Sequence, residues 1–467
     1  MKQLMVPTRR QYLQTIAGLG VTEIGSTTAS DGTADSTGED WGQLGYDNGN
    51  TGHARGHTGP TERAGVAWRA DIEGHYYESA PAVVDGTVYV GSADGQMYAL
   101  DAADGSQEWT FQTELNIYSS PTVADGVVYF GSTDGNVYAV DATDGTEVWT
   151  FETPYSVRCS PVLADGTLFI GSKYRLLYAI DAASGVEQWA YGTGTRAGPS
   201  GSPAVRNGTV YVASDYRLYA INAEDGTRRW EFEPEGGIHA SSPAVADGIV
   251  YIGGDRGAVY AIDADDGTEQ WTFQTGEERT YRTGRWIWSS PAVADGTVYV
   301  GSGDKHVYAI DASDGHEEWS YRTGRTVNTA PAVADDTVYV GNVESTLYAL
   351  DGTDGTERWT VGSIDIHYSS PVVADGSVYI GSPDGHVYAL DEDSGGGSIA
   401  VDGVDVPLPA AGGLAALSGA FGYAAYRKVS ADDDRTDSTD DHSADDEIDQ
   451  IEAGVETSKA PTVDLGP

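Results

Sequence analysis

Cysteine is almost missing from these 467 residues, with Cys159 the single copy. A lone cysteine excludes an internal disulfide framework and any cage of thiolates around a metal. Lysine is nearly as scarce: only Lys2, Lys173, Lys305, Lys428 and Lys459 occur. Lysine and arginine together number 26 against 72 aspartates and glutamates, a formal charge of −46. No run of positive charge is large enough to neutralise a series of phosphates, which argues against a nucleic-acid partner. The negative charge is spread along the whole chain, so it reads as a self-repelling, soluble surface suited to a very salty medium, as in an extreme halophile. No Gly-x-Ser-x-Gly elbow and no phosphate-cradling glycine loop occurs. His53 and His57 are four apart, but no glutamate follows the first and the surroundings are glycine-rich, which predicts a solvated loop rather than a zinc site.

The two ends differ from the middle. Pro7-Thr8-Arg9-Arg10-Gln11-Tyr12-Leu13 resembles a twin-arginine export signal, followed by a short apolar stretch from Ile16 to Val21. Residues 1–40 are therefore expected to be a targeting segment with a flexible lead, and residues 41–65 a second lead. Toward the other end, Val406 to Tyr426 carries no charge over 21 positions, and Arg427-Lys428 follows at once. A helix of that length spans about 30 Å, the thickness of a hydrocarbon core. Gly412, Ala416, Ala420 and Ala424 recur on one face of it. Residues 400–426 are accordingly expected to be a linker and a membrane-spanning helix. Residues 427–467, acidic and poor in aromatics, are expected to be a disordered tail. Together these predict a protein exported and held at the cell surface by its C-terminal helix; a cytoplasmic location is the alternative.

Between the ends one phrase recurs. Its first full copy runs Ser79-Ala80-Pro81-Ala82-Val83, Asp85-Gly86, Val88-Tyr89-Val90-Gly91, Asp94-Gly95, Tyr98-Ala99-Leu100-Asp101, Gly105 and Trp109. The proline returns at Pro121, Pro161, Pro203, Pro243, Pro291, Pro331 and Pro371, at intervals of 40, 40, 42, 40, 48, 40 and 40. Each unit holds four short runs rich in valine, tyrosine and isoleucine, separated by Asp-Gly or equivalent turns, which predicts a four-stranded antiparallel meander. In Val88-Tyr89-Val90 and Val298-Tyr299-Val300 successive residues are all large and apolar, so both faces of each sheet must be covered. Radial stacking of blades does this. Trp109, Trp149, Trp189, Trp230, Trp271, Trp319 and Trp359 each end a unit, while the unit starting at Pro371 has Ile399 where its tryptophan should stand. Val66-Ala67-Trp68-Arg69 supplies the missing strand, so the fold is expected to be all-β, an eight-bladed propeller over residues 66–399 with Trp68 closing the last blade.

Each unit also carries Ala-x-Asp-x-x-x-Gly-x-x-x-Trp, as in Ala99, Asp101, Gly105 and Trp109. This resembles the tryptophan-docking motif of the propellers that bind pyrroloquinoline quinone (PQQ) and of their non-enzymatic relatives such as the outer-membrane assembly lipoprotein BamB. Trp41, Gly45, Asp47, Thr51 and Gly52 look like the segment that precedes such propellers. One copy departs, with Asn222 in place of the aspartate. The resemblance to quinoprotein dehydrogenases implies PQQ, a pair of adjacent cysteines, a bound Ca²⁺ and a catalytic aspartate. A cysteine pair is impossible here, and the repeated aspartates sit in turns that favour them for backbone reasons. The reading is therefore a non-enzymatic scaffold of BamB-like type with no cofactor and no catalytic residue; a quinone-binding redox or sensing protein is the alternative.

Repeats that differ from the consensus mark where a partner binds. The positions just before each Ser-Pro vary most, and they lead into the innermost strand, so they should ring the mouth of the central channel. They are Tyr76, Tyr77, Tyr118, Tyr155, Arg158, Arg196, His239, Trp286, Trp288, Asn328, His367 and Tyr368. The one substantial insertion, Thr275 to Trp288, adds Arg279, Arg282 and Arg285. Aromatic and arginine side chains at a concave site predict a cationic, aromatic funnel for a protein, peptide or anionic ligand. The competing expectation is that the aromatics fill the channel and the arginines pair with nearby carboxylates. Cys159 is expected to be an inert buried thiol.

Overall fold

A computed structural model describes residues 41–407, except 73, 75–78, 174–175, 193–200, 215, 239, 277–285, 393, 395–397 and 402–403. The described residues form eight blades of four antiparallel strands and one small hairpin; His53–Ala54 adds a fifth, parallel strand to the inner edge of the seventh blade. Blade 1 comprises Ala82–Val84, Thr87–Gly91, Gln96–Asp101 and Gln107–Gln112, numbered outward from the axis. Six further blades repeat this order. The innermost strand of each touches that of the next, and the eighth touches the first, so the ring is closed.

The strands alternate in direction because two-residue turns with positive φ suit their twist: Asp85 has φ 50° and Gly86 φ 76°. Both faces of the middle strands are dry, with Val88, Val90 and Leu100 fully buried. At the outer strand the docking motif works between blades. Trp109 donates its indole N–H to the carbonyl of Ala142 in the next blade at 2.9 Å. Its ring lies against Gly145, where any Cβ would sit 2.6 Å from the indole. The motif aspartate holds the turn in between, as Asp141 accepts from the Thr143 amide at 2.8 Å. The aspartates are thus engaged in turns, as the sequence indicated.

Blade 8 consists of Val372–Ala374, Ser377–Ser382 and His386–Asp391, with Gly65–Asp71 as its outermost strand. Trp68 stands opposite Ala389 and donates to Ala102 O at 2.8 Å, which joins the last blade to the first. Ile399 belongs instead to a hairpin of Ser398–Val401 with Val404–Pro407. Val406 and Pro407, the start of the expected membrane helix, therefore lie in a strand, and the rest of 406–426 lies outside the described residues. No helix among the described residues is long and apolar enough to cross a membrane. The twin-arginine segment and the acidic tail also lie outside them.

The lead from Trp41 onward winds through one end of the channel and pairs with the inner strands through its backbone. Trp41 bridges Val83. The amides of Val123, Val205, Val245, Val293 and Val333 donate to the carbonyls of Gly42, Asn48, Gly49, Thr51 and Gly52. The Asn50 amide reaches Pro203 O at 2.9 Å and Pro243 O at 3.3 Å. The lead then supplies what blade 8 does not: Trp359 and Tyr339 both donate to Pro60 O, at 2.7 and 3.1 Å. His53 and His57 are 6% and 4% exposed. The expected solvated loop is therefore corrected to a buried plug, because the glycines there allow the backbone to approach the inner strands; a Cβ on Gly49 would lie 2.6 Å from Val245 O.

Candidate functional site

The inner strands carry a ring of serines around the axis. The amides of Ala80, Ser120, Ser160, Ser202 and Ser242 each donate to the serine hydroxyl of the following blade, at 2.8–3.0 Å. Ala330 does the same to Ser370. The ring breaks only where the next residue is alanine, at Ala330 and Ala80. Between this ring and the lead lies a cavity of about 20 Å³, room for about one water molecule, bordered by Trp41, Asn50, Ser290 and Ser370. The lead fills the channel on the side where the inner strands end. The residues before each Ser-Pro lie on the opposite side, where those strands begin.

Local packing explains why these variable residues stand at the mouth. Ile117, Val157, Ile287 and Val327 are 0–1% exposed, and each packs on a glycine of the second strand. At Gly91, Gly131, Gly253 and Gly301 a Cβ would come within 2.3–2.4 Å of those side chains. Backbone hydrogen bonds hold the same loops, for example Ile117 N to Ser92 O and Val157 N to Ser132 O, both 3.0 Å. Extended backbone alternates sides, so the next residue is turned away from the blade: Tyr118, Arg158, Trp288 and Asn328.

Two groups form at the mouth. The Arg158 guanidinium lies over the Tyr118 ring, 5.0 Å from its centroid, and the Tyr118 hydroxyl accepts from Asn116 Nδ2 at 2.6 Å. Trp286 and Trp288 stack at 4.9 Å, and Trp288 reaches Tyr368 at 6.5 Å. His367 stands 6.3 Å from Tyr368 and 3.7 Å from the Asp365 carboxylate. On the same side Leu115, Tyr155 and Tyr216 are 53%, 46% and 51% exposed. Tyr76, Tyr77, Arg196, His239, Arg279, Arg282 and Arg285 lie outside the described residues.

Five buried side-chain polar atoms among the described residues have no hydrogen-bond partner: Asn50 Oδ1, His53 Nδ1, Arg158 Nε, Trp286 Nε1 and Asn328 Oδ1. The first two belong to the lead within the channel and the other three to the mouth. Buried polar groups are nearly always satisfied, which makes these atoms the candidates for contact with water or another molecule. Three other arginines on this side are engaged: Arg217 with Glu233 and Arg256 with Glu235, both at 2.6 Å, and Arg325 with Glu344. Arg158, the one funnel arginine among the described residues, instead lies against Tyr118. Burial depresses the pKa of His53 and raises that of Asp47. Burial likewise pushes the Cys159 thiol up to about 12, so the thiolate is scarce at neutral pH. Among the described residues no three His, Cys, Asp or Glu side chains gather to hold a metal.

A ring of blades locked by tryptophan and filled at one end by the chain's own lead defines a repeat propeller. The family profile described as outer membrane protein assembly factor BamB matches residues 61–171, 133–283 and 255–397. The chain belongs to this PQQ-repeat family. Its fold is shared with a quinohemoprotein alcohol dehydrogenase of Pseudomonas putida HK5, at 15% identity and TM-score 0.66 over 76% of this chain and 81% of that one. It is shared as well with BamB from Moraxella catarrhalis, at 18% identity and TM-score 0.59 over 70% and 97%. In sequence, a 1-butanol dehydrogenase (cytochrome c) of Thauera butanivorans is 28% identical over 114 residues, which is 24% of this chain and 16% of that relative. The chain thus matches under a fifth of the length of that relative.

Proposed function

We propose that this chain is a non-enzymatic binding scaffold, exposed at the cell surface and tethered to the membrane, whose mouth receives a protein or ligand partner. The observation that carries this reading is the contrast between the two ends of the channel. One end is filled by the chain's own lead. The other presents a tryptophan stack, an arginine over a tyrosine ring and three buried polar atoms without a partner, one of them that arginine's Nε. Large aromatic and arginine side chains in a concave site are what binding hot spots use. Surface exposure rests on Arg9-Arg10 and on the uncharged run 406–426. Affinity capture from native membranes tests the reading. The wild type and an Asp104→Asn variant on the plugged side should retain the same partner, and Trp288→Ala should lose it. Capture that ignores Trp288→Ala would refute a binding mouth.

A second reading, a quinone-binding redox or sensing protein, draws on the aromatic stack and on the dehydrogenases among the similar proteins. The residues present do not fit the group as the resemblance implies it. The one cysteine is buried in the loop that leads into an inner strand and has no cysteine neighbour, and the described residues gather no cluster of three His, Cys, Asp or Glu that could hold a metal. An absorbance band to the red of the aromatic side chains in protein purified from its own host would favour this reading over the scaffold.

A further inference from the structure

The unmet atoms at the mouth have a chemical order. Arg158 Nε is a charged donor, Trp286 Nε1 a neutral donor and Asn328 Oδ1 an acceptor, and each is buried without a partner. Trp286 and Asn328 stand on the lead-ins of neighbouring blades, six and seven, while Arg158 belongs to blade three, across the ring from Asn328. A peptide group carries one acceptor and one donor, which is the complement of an indole N–H and an amide oxygen. A carboxylate is the complement of a guanidinium N–H. We propose that the mouth takes an extended acidic segment of a partner protein. A backbone peptide unit of that segment meets Trp286 and Asn328, and a Glu or Asp carboxylate meets Arg158. This deepens the reading of the mouth as the binding site and rests on it.

Carboxylates line both ends, Glu233, Glu235, Glu344 and Asp365 among them at the mouth, so the acid preference rests on Arg158. The turns of the plugged side carry Asp85, Asp125, Asp165, Asp247, Asp295, Asp335 and Asp375, which repel an acidic chain. At the mouth Arg217 and Arg256 are already paired with carboxylates, so they add little pull. Arg158, stacked on Tyr118, keeps a buried Nε–H without a partner. Salt near 1 M shortens the screening length to about 3 Å, which erases attraction between exposed charges but not a buried contact. The acid preference should therefore persist in strong salt. The exposed Leu115, Tyr155 and Tyr216 give the rim on which the rest of the segment lies.

The test uses the full chain in about 1 M salt, with tryptophan fluorescence reporting on Trp286 and Trp288. The probes are an acetylated, amidated peptide alternating glutamate with alanine, its glutamine counterpart, and free glutarate. The glutamate peptide should bind at least about tenfold more tightly than the glutamine peptide, as one charge-assisted hydrogen bond allows. Arg158→Gln should abolish that preference. Asn328→Ala and Trp286→Phe should weaken both peptides alike, each about threefold to tenfold. Equal binding of the two peptides, or an unchanged preference in Arg158→Gln, would overturn the proposal. Glutarate competing at the peptide's own concentration would also overturn it, by making a small carboxylate the ligand. Should Arg158→Gln fail to fold, Arg158→Lys replaces it; that variant should keep part of the preference, and a full preference there would count against a fixed Nε–H contact. If no peptide binds while partner capture still depends on Trp288, this inference fails and the binding mouth stands.

Discussion

Truncating Trp149 to alanine should cost this propeller about 3–5 kcal/mol, the range for removing a buried tryptophan. The side chain is 9% exposed, so most of an indole's roughly 150–250 Å² is withdrawn from water. At about 25 cal/mol per Å² that burial alone approaches 4–6 kcal/mol, an upper figure because the unfolded chain is already partly compact. Alanine keeps a fraction of it. The variant also loses the 2.8 Å bond from the indole N–H to Ala182 O, which Tyr129 reaches only at 3.4 Å. Gly185 carries no side chain to fill the gap from the far side, and its φ of 69° favours glycine. In a closed ring each blade supports two neighbours, so the loss should appear in the main transition rather than as local fraying. Denaturant unfolding in strong salt, followed by far-UV circular dichroism, measures it. A difference under about 1 kcal/mol would refute inter-blade docking as the source of stability, since cavity formation alone costs more.

Gly145→Ala attacks the same joint from the other partner: a Cβ would lie 2.6 Å from the Trp109 ring at a φ of 70°. It should lower the unfolding free energy by more than about 1 kcal/mol, whereas Gly126→Ala, which meets nothing within 4 Å, isolates the backbone cost in the same experiment. Deleting residues 41–60 leaves Trp359 and Tyr339 without the Pro60 carbonyl. Limited proteolysis should then cut first at blade 8, and an unchanged digest would exclude a latch. Burial holds the Asp47 carboxyl above its usual 3.8. The folded state therefore binds its proton more tightly, so stability from this group is full below that value and falls as pH rises through the folded pKa. Asp47→Asn should be more stable than wild type at pH 7 and lose that advantage near pH 3, as read from paired melts.

Blade number and ring closure are legible in the sequence because they rest on side chains at a fixed period. Tryptophan must be large, its partner glycine small, and the aspartate able to accept from the turn, so each leaves a mark every 40 residues or so. Trp68 carries the same mark far from its blade. The lead leaves almost none. Its contacts with Val123, Val205, Val245, Val293 and Val333 run through backbone amides, which any residue offers. Only Trp41, Gly45, Asp47, Thr51 and Gly52 hinted at it, and His53 and His57 misled because glycine-rich segments usually face solvent. At the mouth, departure from the repeat was the signal for Tyr118, Arg158, Trp286, Trp288 and Tyr368. Which of the arginines is spared an ion pair depends on neighbours distant in sequence, as with Arg325 and Glu344, and no period encodes that.

The most direct measurement places a photo-reactive side chain at Tyr155, exposed beside the mouth, and separately at Asp104, in an exposed turn on the plugged side. Irradiation of the native membrane should yield a partner adduct from position 155 and none from position 104. Adducts from position 104 alone would contradict a protein that binds through its open mouth.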